Sequence, residues 1–238
     1  MRPRALAAAI ACCCAALSGA AAADPIELHA LAGPFESLDA YCAASTKRGE
    51  PCHLDRGWTD DAQADPPGAA PPFRGARLFA TGGTVAAGAV LRCQLALATP
   101  RGWFVDEAEG ICDGRPGPSS SVATRAAEAR WIADRGAPVL RVEVTRTLTL
   151  RAKQGRRAAV RERVLVSERR WLILCGVGAG GVPRCTGEVL IGCTDEHEPP
   201  RDFPWTFTNG VLTLTGRDAD AECEIGLRSP IGRHRLAF

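Results

Sequence analysis

The chain has 238 residues, with 46% hydrophobic residues, 5% aromatic residues and a formal net charge of +2. This length suits one domain or two small ones. Residues 1–23 contain two arginines and no acid, so the remainder holds 27 basic and 27 acidic residues. A neutral remainder excludes bulk electrostatic attraction to nucleic acid.

Residues 1–23 are predicted to be a secretory signal peptide. Arg2 and Arg4 precede an apolar run of thirteen residues, 5–17, and residues 21–23 fit a small-residue cleavage site. The run is shorter than the about 20 residues that span a bilayer, and no later run is longer, so no transmembrane helix is expected. An alternative is a lipid anchor at Cys12, because residues 9–12 resemble a bacterial lipobox. Signal-peptide cleavage and a lipid anchor at Cys12 both predict a secreted, periplasmic or cell-envelope protein.

The cysteines that follow residue 23 are even in number, which predicts a disulfide framework in an oxidising compartment. A thiol held in a disulfide is not a nucleophile, so cysteine catalysis is disfavoured. Sequence proximity suggests three local pairs, and elimination suggests the fourth: Cys42–Cys52, Cys93–Cys112, Cys175–Cys185 and Cys193–Cys223.

The first part of the mature chain, residues 24–59, is predicted to be helix and loop. Ser37 is a suitable cap for a short helix that begins at Leu38. Residues 60–72 are rich in proline and aspartate and read as an extended linker.

Residues 73–238 are predicted to form an antiparallel β domain. Residues 90–98 and 103–105 flank a proline- and glycine-containing turn, residues 140–151 alternate apolar with polar residues, and Asn209-Gly210 indicates a tight hairpin. Residues 122–134 fit either helix or strand, with strand favoured for 129–133. The predicted class is therefore mainly β: a disulfide-stapled antiparallel sandwich or barrel-like domain with a short N-terminal helical segment.

Two polar or glycine-rich motifs are interpreted as loops. Residues 176–181 match G-x-G-x-x-G, but no helix is predicted to follow and hold a pyrophosphate. A hairpin loop closed by Cys175–Cys185 is favoured instead. Residues 195–198 carry carboxylates and His197, but contiguous side chains point apart, so a polar loop is expected. No metal or cofactor is predicted.

A third motif resembles a known signature. Residues 78–86, Leu-Phe-Ala-Thr-Gly-Gly-Thr-Val-Ala, resemble the N-terminal threonine signature of the bacterial-type asparaginase family. The resemblance implies an α/β domain and amidohydrolase activity, with Thr81 as the nucleophile. The family's second motif, His-Gly-Thr-Asp, is missing from this sequence. A glycine turn between two strands is the favoured interpretation.

Basic residues concentrate between Arg141 and Arg170, where ten bases accompany three acids. The predicted binding residues on this ribbon are Arg156, Arg157, Arg161 and Arg163. An anionic glycan, a lipid headgroup or an acidic protein would fit such a surface. The alternative is a solvated outer face whose charges prevent edge-to-edge pairing. The sequence thus predicts a non-enzymatic structural or binding module, with a Thr81 hydrolase or a scaffolding envelope lipoprotein as alternatives.

Overall fold

The described part of the chain is mainly antiparallel β-strand with one helix, as the sequence predicts. The structure is a computed structural model that describes residues 25–54, 73–85, 88–107, 114–117, 120–154, 161–178, 180–196, 198–217, 221–224 and 227–238. The predicted signal peptide, Cys12 and the linker 60–72 lie outside these residues.

The regular elements are short at both ends of the chain and long in its middle. The helix, α1, spans Leu38–Lys47. The strands are β1 Leu28–Ala30, β2 Ala32–Phe35, β3 Cys52–His53, β4 Gly75–Val85, β5 Gly88–Thr99, β6 Gly102–Asp106, β7 Gly114–Gly117, β8 Ser120–Asp134, β9 Ala137–Gln154, β10 Arg161–Val177, β11 Pro183–Thr186, β12 Val189–Asp195, β13 Glu198–Asp202, β14 Trp205–Thr208, β15 Val211–Leu214, β16 Glu222–Glu224, β17 Leu227–Arg228 and β18 Gly232–Arg235.

The strands form one large sheet and three smaller ones. The large sheet has eight strands in the order β1-β11-β10-β9-β8-β7, with β12 also pairing β10 and β13 pairing β12. A five-stranded sheet has the order β2-β6-β5-β4-β3, and a three-stranded sheet has the order β14-β15-β18. Strands β16 and β17 pair with each other.

The large sheet is covered on both faces near the β8–β9 turn. On one face, Leu140 and Val142 belong to a buried cluster that includes Leu97 of the five-stranded sheet. On the other face, Leu174 packs in a second buried cluster with Leu212 of the three-stranded sheet. The architecture is therefore three-layered here. The alternation along residues 140–151 predicts one buried and one solvated face. This prediction is wrong near the turn, because alternation along a strand cannot reveal a second covering sheet.

The helix packs on the outer face of the five-stranded sheet. Ser37 caps it as predicted, because its Oγ accepts a hydrogen bond from the Ala40 amide at 3.0 Å. Tyr41 is fully buried and its hydroxyl donates to the Oε1 of Gln94 at 2.8 Å. This contact anchors the helix on strand β5.

The predicted Asn209-Gly210 turn is present and connects β14 to β15. Arg135-Gly136 forms a second turn of this kind between β8 and β9, and all four residues have positive φ angles between 52° and 79°. Such pairs match the right-handed twist of the flanking strands. The ambiguous residues 122–134 lie entirely in strand β8, since pairing with β9 overrides the helix propensity of their alanines.

Three disulfides connect pairs that the sequence suggests. They join Cys42 to Cys52, Cys175 to Cys185 and Cys193 to Cys223. Cys93 is also disulfide-bonded. Cys112 lies outside the described residues, so the Cys93–Cys112 pair stays a prediction.

The N-terminal residues contribute strands as well as a helix. Strand β1 pairs with β11 of the large sheet and β2 pairs with β6 of the five-stranded sheet. His29 on β1 lies 2.9 Å from the buried carboxylate of Asp106 at the end of β6, which links the two sheets. This hydrogen bond raises the pKa of His29 above its ordinary value, although partial burial opposes the shift.

Candidate binding surface on the distal ribbon

Strands β9 and β10 extend beyond the layered core as a long hairpin. We call residues 147–154 of β9 and 161–168 of β10 the distal ribbon; they pair from Thr147 opposite Glu168 to Gln154 opposite Arg161. Eight residues of strand correspond to about 26 Å at about 3.3 Å per residue. Strand β8 pairs with β9 only as far as Leu150, and β12 pairs with β10 only from Ser167 onward. The last part of the distal ribbon is therefore two-stranded among the described residues.

The ten basic residues between Arg141 and Arg170 divide into a group at the base of this ribbon and a group toward its tip. Among the side chains that the structure describes, four of these basic residues form ion pairs with carboxylates, and two of the four also lie over tryptophan rings. The ion pairs are Arg141–Glu143, Arg146–Glu188, Arg169–Asp195 and Arg170–Asp202.

Arg146 illustrates the role of this first group. Both of its terminal nitrogens donate to the carboxylate of Glu188, and its guanidinium lies 5.9 Å from the centroid of the Trp171 ring. Only 18% of the side chain is exposed. The bidentate geometry and the ring contact favour arginine over lysine at this site. We conclude that Arg146 holds the base of the ribbon together.

Arg141 is also placed inside the layered part of the molecule. Its guanidinium lies 4.9 Å from the centroid of the Trp205 ring on β14 and pairs with Glu143. Its side chain is 23% exposed. The prediction of a solvated outer face along Arg141–Arg170 is therefore wrong at this end, because the three-stranded sheet covers it.

The second group of basic residues lies at the ribbon tip, which we define as residues 151–163. The tip contains six basic residues and one acid, Glu162, so its formal charge is +5. Arg161 and Arg163 occupy the first positions of β10, opposite Gln154 and Ala152. The other two predicted binding residues, Arg156 and Arg157, lie outside the described residues. The four predicted binding residues thus all belong to the tip segment.

The distal ribbon also exposes large apolar side chains. Leu150 is 39% exposed, and Val164 and Val166 are each 44% exposed. Just one other large apolar side chain, that of Leu54, is comparably exposed among the described residues. Leu150 pairs with Leu165, whereas Val164 pairs with Arg151 one position further along, so the apolar residues lie on both faces. Charge counting in the sequence finds the cations but not this second component.

The apolar residues are exposed because the core ends before them. Within the described part of the chain, Val144 is the last β9 residue in a buried cluster, and Leu172 is the last one on β10 toward the tip. Val164 and Val166 share one face of the ribbon, and apolar patches rimmed by polar residues mark interaction sites when they are large and contiguous.

The geometry around Thr81 differs from what the asparaginase resemblance implies. Thr81 is fully buried in the middle of antiparallel strand β4, opposite Cys52 of β3, and its hydroxyl has no hydrogen-bond partner. A nucleophile must reach its substrate and a base, and Thr81 does neither. The favoured glycine turn is also wrong at this position: Gly82 and Gly83 lie within β4.

The other sequence motifs have structural roles. The glycine-rich residues 176–181 join β10 to β11, and Cys175 pairs with Cys185 across this hairpin as predicted. Asp195 binds Arg169 at the end of β12. Within the described ranges no group of three or more His, Cys, Asp or Glu side chains is arranged to hold a metal ion.

No helix in the described part of the chain is long and apolar enough to cross a membrane. Comparisons with known proteins found no matching family model, no matching curated protein and no matching solved structure.

Proposed function

We propose that this protein is an exported, non-enzymatic binding module whose ribbon tip docks on an anionic lipid surface of the cell envelope. The observation that carries the proposal is the combination, on one projecting hairpin, of a +5 tip with exposed apolar side chains. Each basic residue near an anionic surface contributes about 1 kcal/mol of attraction. Exposed valine and leucine side chains add apolar contact with the acyl boundary.

The apolar residues favour lipid over the other two anionic partners. A glycan offers hydroxyl and acidic groups but no apolar layer, so Leu150, Val164 and Val166 would gain no apolar contact from it. An acidic protein would cover one face of the ribbon, whereas apolar residues lie on both faces. A hairpin inserted end-on into a headgroup layer contacts lipid on both faces at once.

Export is supported by the disulfides and by the N-terminal sequence. Three disulfides and the bonded Cys93 fit an oxidising compartment. The signal peptide and its cleavage near Ala23 remain part of the proposal, as does the alternative of acylation at Cys12. Mass spectrometry of the mature N-terminus distinguishes these two: a free N-terminus near residue 24 supports cleavage, and an acylated Cys12 supports an envelope lipoprotein.

The docking proposal is tested by sedimentation with vesicles of phosphatidylglycerol or phosphatidylcholine. We expect binding to phosphatidylglycerol alone, and weaker binding as salt shortens the Debye length from about 8 Å at 0.15 M to about 3 Å at 1 M. Arg161→Gln with Arg163→Gln should remove about 2 kcal/mol, which weakens binding about 30-fold.

A matched control is available on strand β18. Arg233→Gln with Arg235→Gln removes two arginines at the same spacing from a distant strand, and it should leave binding nearly unchanged. A Val164→Ser, Val166→Ser variant should bind more weakly at every salt concentration. Equal losses in both arginine variants would mean that the whole-protein charge, and not the tip, is responsible. Equal binding to both vesicle types would refute the proposal.

A further inference from the structure

A groove lies on the outer face of the five-stranded sheet, beside the start of helix α1. Its volume is about 610 Å³, within the about 300–1,000 Å³ of small-molecule sites. The helix covers this face at Phe79 and Val105 but not at Gly75 and Ala98, which pair with each other and form the floor. Three arginines, a glutamate and a tryptophan are among the residues that line it: Arg74, Arg77, Arg101, Glu36 and Trp103.

The floor of the groove has open space above Gly75. A Cβ atom built on Gly75 would meet no atom within 4 Å. Gly75 is not a turn residue and has no positive φ, so a side chain there would be tolerated by the backbone. The empty volume above this position is therefore part of the groove.

Two of the three arginines are without partners in the described structure. Neither Arg74 nor Arg77 forms a side-chain hydrogen bond or ion pair, and Arg77 is partly buried. Arg101 is held in place because its Nη1 donates to the carbonyl of Gly180 at 2.9 Å. This contrasts with the ribbon base, where each arginine has a carboxylate. A guanidinium offers five N–H donors in a planar fork that matches a carboxylate.

Trp103 and Glu36 add two further kinds of contact. Trp103 is partly buried against the cluster under the helix, and it also lines the groove. A fixed indole ring is a platform for the apolar face of a sugar or other flat group. Glu36 forms no ion pair with the neighbouring arginines and can accept hydrogen bonds from hydroxyl groups.

We infer that this groove binds a carboxylated saccharide. Arg74 and Arg77 contact the carboxylate, Trp103 stacks on the ring face, and Glu36 accepts from a hydroxyl. The net charge of the lining side chains is +2, which selects against neutral sugars through two unpaired guanidinium groups. The site is separate from the ribbon tip and shares no residue with it.

The test is calorimetric titration of the purified protein with trigalacturonate, with maltotriose as the neutral probe. We expect saturable binding of trigalacturonate and none of maltotriose. Arg77→Gln and Gly75→Leu should each weaken binding at least tenfold, the first by removing the anion contact and the second by filling the floor. Arg235→Gln, on the three-stranded sheet, is the control and should bind like the wild type.

Folding is checked by the thermal midpoint of each variant. If Arg77→Gln is destabilised, the exposed Arg74→Gln serves in its place and should weaken binding severalfold. No saturable binding of trigalacturonate at millimolar concentration would refute the inference, as would unchanged binding in both the Arg and Gly75 variants. Equally tight binding of triglutamate would show an acidic-peptide site and refute the saccharide assignment.

Discussion

Removal of the Cys193–Cys223 disulfide should destabilise the protein more than removal of Cys42–Cys52. The first closes a loop with a sequence separation of 30, and the second closes one of 10. Chain entropy then assigns them about 3.6 and about 2.7 kcal/mol at 25 °C. A domain of this size shifts its midpoint by about 2–4 °C per kcal/mol, so the expected shifts are about 7–14 °C and about 5–11 °C.

Burial increases the difference between these two disulfides. Cys193 and Cys223 are 4% and 8% exposed and pack with Leu190 and Phe203. Paired alanine substitutions there also leave a small cavity. Cys42 and Cys52 are only partly buried at the edge of the cluster under the helix.

The third disulfide separates loop length from burial. Cys175–Cys185 has the same sequence separation of 10 as Cys42–Cys52, but both of its cysteines are completely buried. Its double alanine variant should therefore lose more stability than the Cys42–Cys52 variant of equal loop length.

The assay is equilibrium unfolding in urea without reductant, with all three double variants measured beside the wild type. The reasoning predicts that the Cys42→Ala, Cys52→Ala variant is the least destabilised of the three. If that variant lost the most free energy of unfolding, neither loop length nor burial would explain how much each disulfide stabilises the protein.

Three further changes probe individual contacts. The raised pKa of His29 means that its ion pair stabilises the fold below about pH 6.5, and that this contribution is lost as the pH rises through the raised value. The free energy of unfolding of the His29→Asn variant should therefore approach that of the wild type as the pH rises from about 5 to about 8. A difference that stays constant with pH would contradict this. Tyr41→Phe leaves the buried oxygen of Gln94 without its donor and should cost about 1–3 kcal/mol in urea unfolding. Gly102→Ala places a Cβ 2.5 Å from a main-chain oxygen at a φ of +126°, so its thermal midpoint should fall well below that of Gly136→Ala, which has open space; similar midpoints would count against the steric argument.

Local signals in the sequence predict much of the fold. The Ser37 cap, the Asn209-Gly210 turn and the Cys175–Cys185 hairpin each depend on residues close together in the chain. Such features follow from backbone chemistry within a few residues. The alternation along residues 140–151 likewise predicts a strand.

Contacts between distant segments are what the sequence does not reveal. Arg146 and Glu188 are 42 residues apart, and Arg170 and Asp202 are 32 apart, so counting charges along the chain cannot show that they neutralise each other. The same limit applies to Thr81, whose motif suggests exposure at a loop but whose strand is covered on both sides. The exposed valines of the distal ribbon become apparent only once the end of the core is known.

Because β9 and β10 run from the doubly covered core into an uncovered hairpin, one pair of strands contains a gradient of local stability. Opening the main chain at Val142 or Leu174, both fully buried, requires disruption of a whole layer, whereas opening at Val164 breaks few apolar contacts. Amide hydrogen exchange should therefore be slowest at the β8–β9 turn end and become faster along the same two strands toward Gln154. Sequence changes near the tip carry little cost to global folding, so the surface that meets a partner can diversify independently of the core that supports it.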